Sequence, residues 1–196
     1  MPVSDRDELV LQVQAAFGWR PYPGDENVIL PPRGCLGYER VATRRFFEGK
    51  KWQEVTGRSI IENSTLEPNF FLSDFRARGF LYFLPAFLMI LLEEDGDEDL
   101  QGTILDYLGP PSQGSSDDLR FYFLYKMSQL TPEERRTVVN VLDFLADEYR
   151  RRNEYINDPQ ELLDDFWLEL AEHGELSQQE TDELLAKIPD SWIQDL

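Results

Sequence analysis

Asp95, Asp97 and Asp99 alternate along one short stretch, and Asp106 falls at the twelfth position of a calcium loop that starts at Asp95. Alternating carboxylates suit a hard divalent cation, which gathers six or more oxygen ligands. Two departures weigh against that chemistry. The sixth position needs glycine for a sharp turn and holds Leu100, and the twelfth is aspartate where a bidentate glutamate is usual. Residues Glu93 to Asp99 therefore read as a solvated acidic loop, and no metal site is assigned.

His173 is the only histidine, with Glu169 one helical turn before it and Asp165 and Glu172 near in sequence. A histidine and a carboxylate can hold a divalent ion loosely, but a specific site takes three or more ligands. The plainer reading is a surface histidine near a helix end. Cys35 is the only cysteine, so neither an intrachain disulfide nor a cysteine cluster can form. As a nucleophile it would need an activating environment and His173 brought from far along the chain, and its Pro/Gly-rich setting supplies neither. A glycine-rich phosphate loop, HExxH and Gly-x-Ser-x-Gly are all missing from the sequence. No catalytic residue and no cofactor is assigned.

Charge offers two further candidates. Arg40, Arg44, Arg45, Lys50, Lys51 and Arg58 form a basic cluster, in which Arg40 and Arg44 share a helix face. It reads as an anion contact or, more economically, as side chains that are solvated or paired with the acidic C-terminal helices. Asp158, Glu161, Asp165, Glu169 and Glu172 form the opposite feature, a carboxylate-rich face on a C-terminal helix, and they are the candidate binding residues.

The chain of 196 residues holds 19 basic and 38 acidic side chains, a formal charge of −19. Residues 1–92 are balanced at 11 of each, residues 93–152 hold 7 basic and 14 acidic, and residues 153–196 hold 1 and 13. The negative field repels nucleic acid and anionic lipid and favours basic partners. Met1 to Asp5 has no basic stretch leading into an apolar run, so a signal peptide is not expected. The apolar run Gly79 to Leu92 falls short of the roughly 18 residues a membrane span needs and contains Pro85. It is expected to be a buried helix kinked at Pro85, or two helices meeting there.

Several elements must position these groups. Ser4 with Asp7 marks a first helix carrying Leu9, Val13, Ala16 and Phe17, stopped by Gly18. Trp19 to Gly37 is rich in proline and glycine and is expected to be irregular and superficial, with Val28-Ile29-Leu30 as a short extended piece. Helix is expected from Glu39 to Phe47, and Ser73 is expected to cap a helix from Asp74 with Phe80, Phe83, Leu84, Phe87 and Leu88 in the core. Further helices are expected at Leu100–Leu108 and after Ser116. Thr131-Pro132-Glu133-Glu134 is the clearest start signal, joining a capping box to proline at the first helical position. Two amphipathic helices close the chain, at about 159–172 and 178–187. Leu162, Leu163, Phe166, Trp167, Leu184, Leu185, Ile188 and Trp192 are their apolar side chains.

Three segments carry a resemblance. They are Phe47-Glu48-Gly49-Lys50-Lys51-Trp52, then Phe70-Phe71-Leu72-Ser73 on through Tyr82-Phe83-Leu84-Pro85-Ala86-Phe87-Leu88, and Leu130-Thr131-Pro132-Glu133-Glu134-Arg135 leading to Val141-Leu142-Asp143-Phe144-Leu145. Across about residues 5–150 the chain resembles an uncharacterised bacterial family of hypothetical proteins. That family has no assigned activity, so the resemblance implies a bacterial, intracellular setting and carries over no functional residues.

The expected fold is mainly α, one multi-helix domain with an irregular Pro/Gly-rich segment near its N-terminus. Residues 1–152 are expected to form the core and 153–196 an acidic helical pair packed on it. The expected function is protein interaction in the cytoplasm, an acidic face meeting a basic protein in the manner of an immunity or antitoxin protein. Nucleic acid and membrane are not expected partners. The alternative is an enzyme with an unrecognised carboxylate site, with or without a divalent cation.

Overall fold

A computed structural model describes residues 5–31, 37–63, 65–66, 71–112, 114–152, 158–173 and 176–189. In chain order the helices are α1 (Arg6–Phe17), α2 (Gly37–Phe47), α3 (Gly57–Ile61), α4 (Ala77–Leu91), α5 (Glu98–Leu108), α6 (Asp117–Ser128), α7 (Pro132–Arg152), α8 (Pro159–Leu162), α9 (Leu168–Glu172) and α10 (Gln178–Leu185). A π-helical segment, Leu163–Trp167, joins α8 to α9. The fold is mainly α, as the periodicity predicts, and among the described residues no strand forms beyond an isolated antiparallel bridge between Ile29 and Phe75. The described residues fall into two compact units, 5–18 with 105–189, and 19–104.

In the unit of residues 19–104, α4 is buried on nearly every side. Phe80, Phe83, Leu84, Phe87 and Leu88 are each at most 1% exposed. The helix runs through Pro85 without dividing in two. Neither it nor any other helix among the described residues is both long and apolar enough to cross a membrane. Its start differs from expectation. Phe71–Asp74 forms a separate 3-10 turn, Phe75 pairs with Ile29, and the α-helix begins only at Ala77. Asp74 is drawn into other work: its buried carboxylate accepts from Arg40 Nε at 3.1 Å and from the Thr43 hydroxyl at 2.8 Å, tying the turn to α2.

Phe47 sits at the centre of an aromatic cluster. Its ring lies 4.7 Å from Phe46, 4.8 Å from Phe75 and 5.0 Å from Phe83, all edge-on, the arrangement that ring quadrupoles favour. The Pro/Gly-rich segment divides physically. Trp19 and Pro21 are exposed as expected, whereas Val28 and Ile29 are fully buried. The Leu30 N–H donates to the Asp74 carbonyl at 2.7 Å, and the Arg76 N–H to the Val28 carbonyl at 3.0 Å. This extended piece crosses α4 so closely that a Cβ on Gly79 would stand 2.2 Å from the Val28 carbonyl oxygen. Only glycine fits there. Near the other end of the segment, the Tyr22 hydroxyl bonds to Asp25 and accepts the Gly49 N–H at 2.9 Å, and Gly49 turns with φ of 69°.

In the second unit, α1 lies along α7. Leu9, Val13, Ala16 and Phe17 are buried, Gln12 accepts from Asn140 at 3.0 Å, and Arg6 lies 3.6 Å from Glu148. Ser4, half of the expected cap, lies outside the described residues, as do Cys35, Gly174 and Trp192. The α7 capping box forms as predicted. The Thr131 N–H reaches the Glu134 carboxylate at 2.8 Å, and the Glu134 N–H reaches the Thr131 hydroxyl at 3.2 Å. Ser116 caps α6, and Ser177 with Glu180 forms the box that starts α10. The large apolar side chains of α6 divide: Phe123 and Met127 are buried, Leu119 and Leu124 exposed.

Candidate functional site

The acidic segment begins with a cap. Asp158 is half-buried, and its carboxylate accepts the Gln160 N–H at 2.9 Å, which places Pro159 at the first helical position with its ring buried. Beyond it, Leu162-Leu163 and Phe166-Trp167 share one side of the helix, at i, i+1, i+4 and i+5. The helix carries a π turn here, with the Leu168 N–H bonded back five residues to the Leu163 carbonyl. Leu163, Phe166 and Trp167 become buried and Leu162 half-buried. The Phe166 ring lies 5.0 Å from Phe123, and the Trp167 indole N–H donates to the Leu108 carbonyl at 2.9 Å. A buried indole needs such an acceptor.

The outer side is carboxylate. Glu161, Asp165, Glu169 and Glu172 are all exposed, and Asp164, not among the expected residues, is exposed with them. These five make no ion pair among the described residues. Asp164 accepts a hydrogen bond from Gln160 at 2.8 Å. On α10, Asp182 and Glu183 are exposed, and Glu180 is held below its ordinary carboxyl pKa by the Ser177 hydroxyl and N–H. Inward, Ile188 is buried while Leu184 and Leu185 are half-buried.

The inner anchor of this segment was not foreseen. Arg135 lies in the first turn of α7 and is fully buried. Its Nη1 donates to the carbonyls of Leu170 at 3.3 Å and His173 at 3.1 Å, and its Nη2 to Ser128 at 2.8 Å. These carbonyls end two helices, α9 and α6, where the helix dipoles leave negative charge for a guanidinium to meet. In sequence an arginine after Thr-Pro-Glu-Glu reads as a solvated surface residue, so burial had no local signal.

The other candidates resolve into structural roles. The His173 ring Nδ1 lies 2.8 Å from the Glu169 backbone carbonyl, so the ring meets the backbone one turn earlier and not the Glu169 carboxylate. In the acidic loop, Asp97 accepts the Leu100 N–H at 2.9 Å as a cap for α5, and Leu100 is buried. Glu93 accepts the Gly57 N–H at 3.2 Å, and the Gln101 amide donates to the Ile90 and Glu93 carbonyls. No group of three or more His, Cys, Asp or Glu side chains among the described residues is placed to hold a metal ion.

The basic cluster disperses into local contacts. Arg40 pairs with Asp74, Arg44 reaches the Ile29 carbonyl at 3.0 Å and lies 3.5 Å from Glu48, Arg58 pairs with Glu62 at 2.7 Å, and the Lys50 ammonium sits 3.4 Å from the centre of the Phe46 ring. These partners lie in the same unit, so pairing with the C-terminal helices is not what holds them. Lys126 on α6 is a titratable group that the sequence reading passed over. It is buried near Phe123, and loss of hydration pushes its pKa down to about 7.

No curated protein and no solved structure matches this chain. One family model does, over residues 37–171, a span that leaves out α1 and runs past residue 150 through the acidic segment nearly to the end of α9. The chain belongs to that family, DUF6714, a family of unknown function.

Proposed function

We propose that this protein is a protein-interaction module of the bacterial cytoplasm whose acidic C-terminal face docks a basic protein, in an immunity- or antitoxin-like role. The reading rests above all on Glu161, Asp164, Asp165, Glu169 and Glu172: five carboxylates exposed on one ordered helical segment, without ion pairs among the described residues, above an inner side that is packed. A run of charge kept only for solubility would not need Leu163, Phe166 and Trp167 to fix it in place. The segment that bears this face packs within the unit of residues 5–18 and 105–189. Clustered negative charge steers a cationic partner into encounter and rejects anionic ones.

The test begins with capture of a partner from native lysate, followed by association kinetics. Association should slow steeply as salt rises, because exposed charges are screened within about 10 Å at 0.1 M ionic strength. Reversing Asp165 and Glu169 to lysine should slow it further with little change in dissociation. An on-rate indifferent to both salt and reversal removes this face from the function.

A further inference from the structure

We infer that residues 158–173 form a strap whose C-terminal part is docked by Arg135 and not by apolar burial, so that the strap opens locally while the rest of its unit stays folded. The two ends of the strap are held differently. Pro159, Leu163, Phe166 and Trp167 are buried and anchor its first two-thirds. In α9 no side chain is fully buried, and Leu168 is 43% exposed. The deep attachment of α9 is through its backbone: the Leu170 and His173 carbonyls accept from Arg135, which is itself fixed by the Ser128 carbonyl. A planar guanidinium holds several acceptors in one rigid fork, which an ammonium cannot do.

An opposing force acts on the same segment. Glu161, Asp164, Asp165, Glu169 and Glu172 share its outer side, and their mutual repulsion favours separation. Elements that open locally are those with few buried apolar contacts, and α9 meets that description. Among the described residues the latch is therefore one cation on the Leu170, His173 and Ser128 carbonyls, working against carboxylate repulsion. It needs no docking partner, so it stands or falls apart from the proposed function.

Hydrogen exchange of the full chain, read by mass spectrometry, tests it. In Arg135→Lys the amides of residues 168–173 should exchange at least about tenfold faster, while those of α1 and of Val138–Ala146 change much less. Equal acceleration everywhere, or none in the strap, overturns the inference. A second variant, Asp165→Asn with Glu169→Gln, touches only exposed groups and does not risk the fold. It should slow exchange in the same amides, and in the wild type added salt should do the same by screening the repulsion. Strap amides unmoved by both changes also overturn it.

Discussion

Helix α4 and the 159–172 segment are built on opposite principles, and the contrast shows which sequence signals survive folding. In α4 nearly every side chain is buried, so its burial follows from apolar density, and Gly79 beneath Val28 is the position where register matters. The acidic segment has one packed side and one charged side. Its register matters, and it is set by details that composition does not carry: a π turn, an indole hydrogen bond and a buried arginine. Density predicts burial well, whereas exact geometry at a charged surface depends on contacts from far along the chain.

The largest expected effect tests the α4 side of this comparison. Phe83→Ala should lower unfolding free energy by about 3–5 kcal/mol, since the ring is fully buried among other rings and its removal leaves a cavity. A denaturation midpoint near wild type would end the view that α4 is held by packing.

Lys126 sharpens the contrast, being a charge placed in an interior. Its pKa falls from 10.5 to about 7 on folding. Between those pH values the unfolded chain holds the proton and the native chain does not, so raising pH favours the native state. Below about pH 7 both states are protonated, and the cost of burying the ammonium is at its full value. The stability difference between wild type and Lys126→Met should therefore change by up to about 1.4 kcal/mol per pH unit across pH 8–10, with wild type gaining as pH rises. Parallel stability curves for the two proteins would show that Lys126 keeps its hydration.

Smaller effects follow on the acidic side. Thr131→Ala removes one half of the α7 capping box and should cost about 1 kcal/mol by chemical denaturation. Least of all, reversing Asp165 and Glu169 to lysine should move stability by no more than about 0.5 kcal/mol, as both are exposed. A loss of several kcal/mol there would mean the carboxylates are structural, which removes the distinction drawn between the two regions.

Much of the fold was legible for local reasons. Thr131 with Glu134, Ser177 with Glu180, and Ser116 all cap where a short polar side chain precedes an apolar period, because capping is decided within four residues. What escaped depends on distant partners. Ser73 looked like a cap, but Asp74 and Phe75 were claimed by α2 and by Ile29, which delays α4 to Ala77. The exposed carboxylates of the candidate face were legible from helical spacing, apart from Asp164. The π turn was not, because apolar pairs at i, i+1, i+4 and i+5 fit the face of a regular α-helix. Arg135 and Lys126 sit in sequence among residues that mark solvent or core equally well, and only the assembled unit decides their burial.

The place of α1 bears on how the chain is made. Its buried side, Leu9, Val13, Ala16 and Phe17, is completed by α7, which begins more than a hundred residues later. During synthesis that apolar stripe emerges well before α7 and waits for it while the intervening residues are translated. A version of the protein beginning at Trp19 would lack the stripe altogether and leave the matching surface of α7 bare. Such a truncation should gather into aggregates, and co-expressing residues 1–18 as a separate peptide should return it to solution.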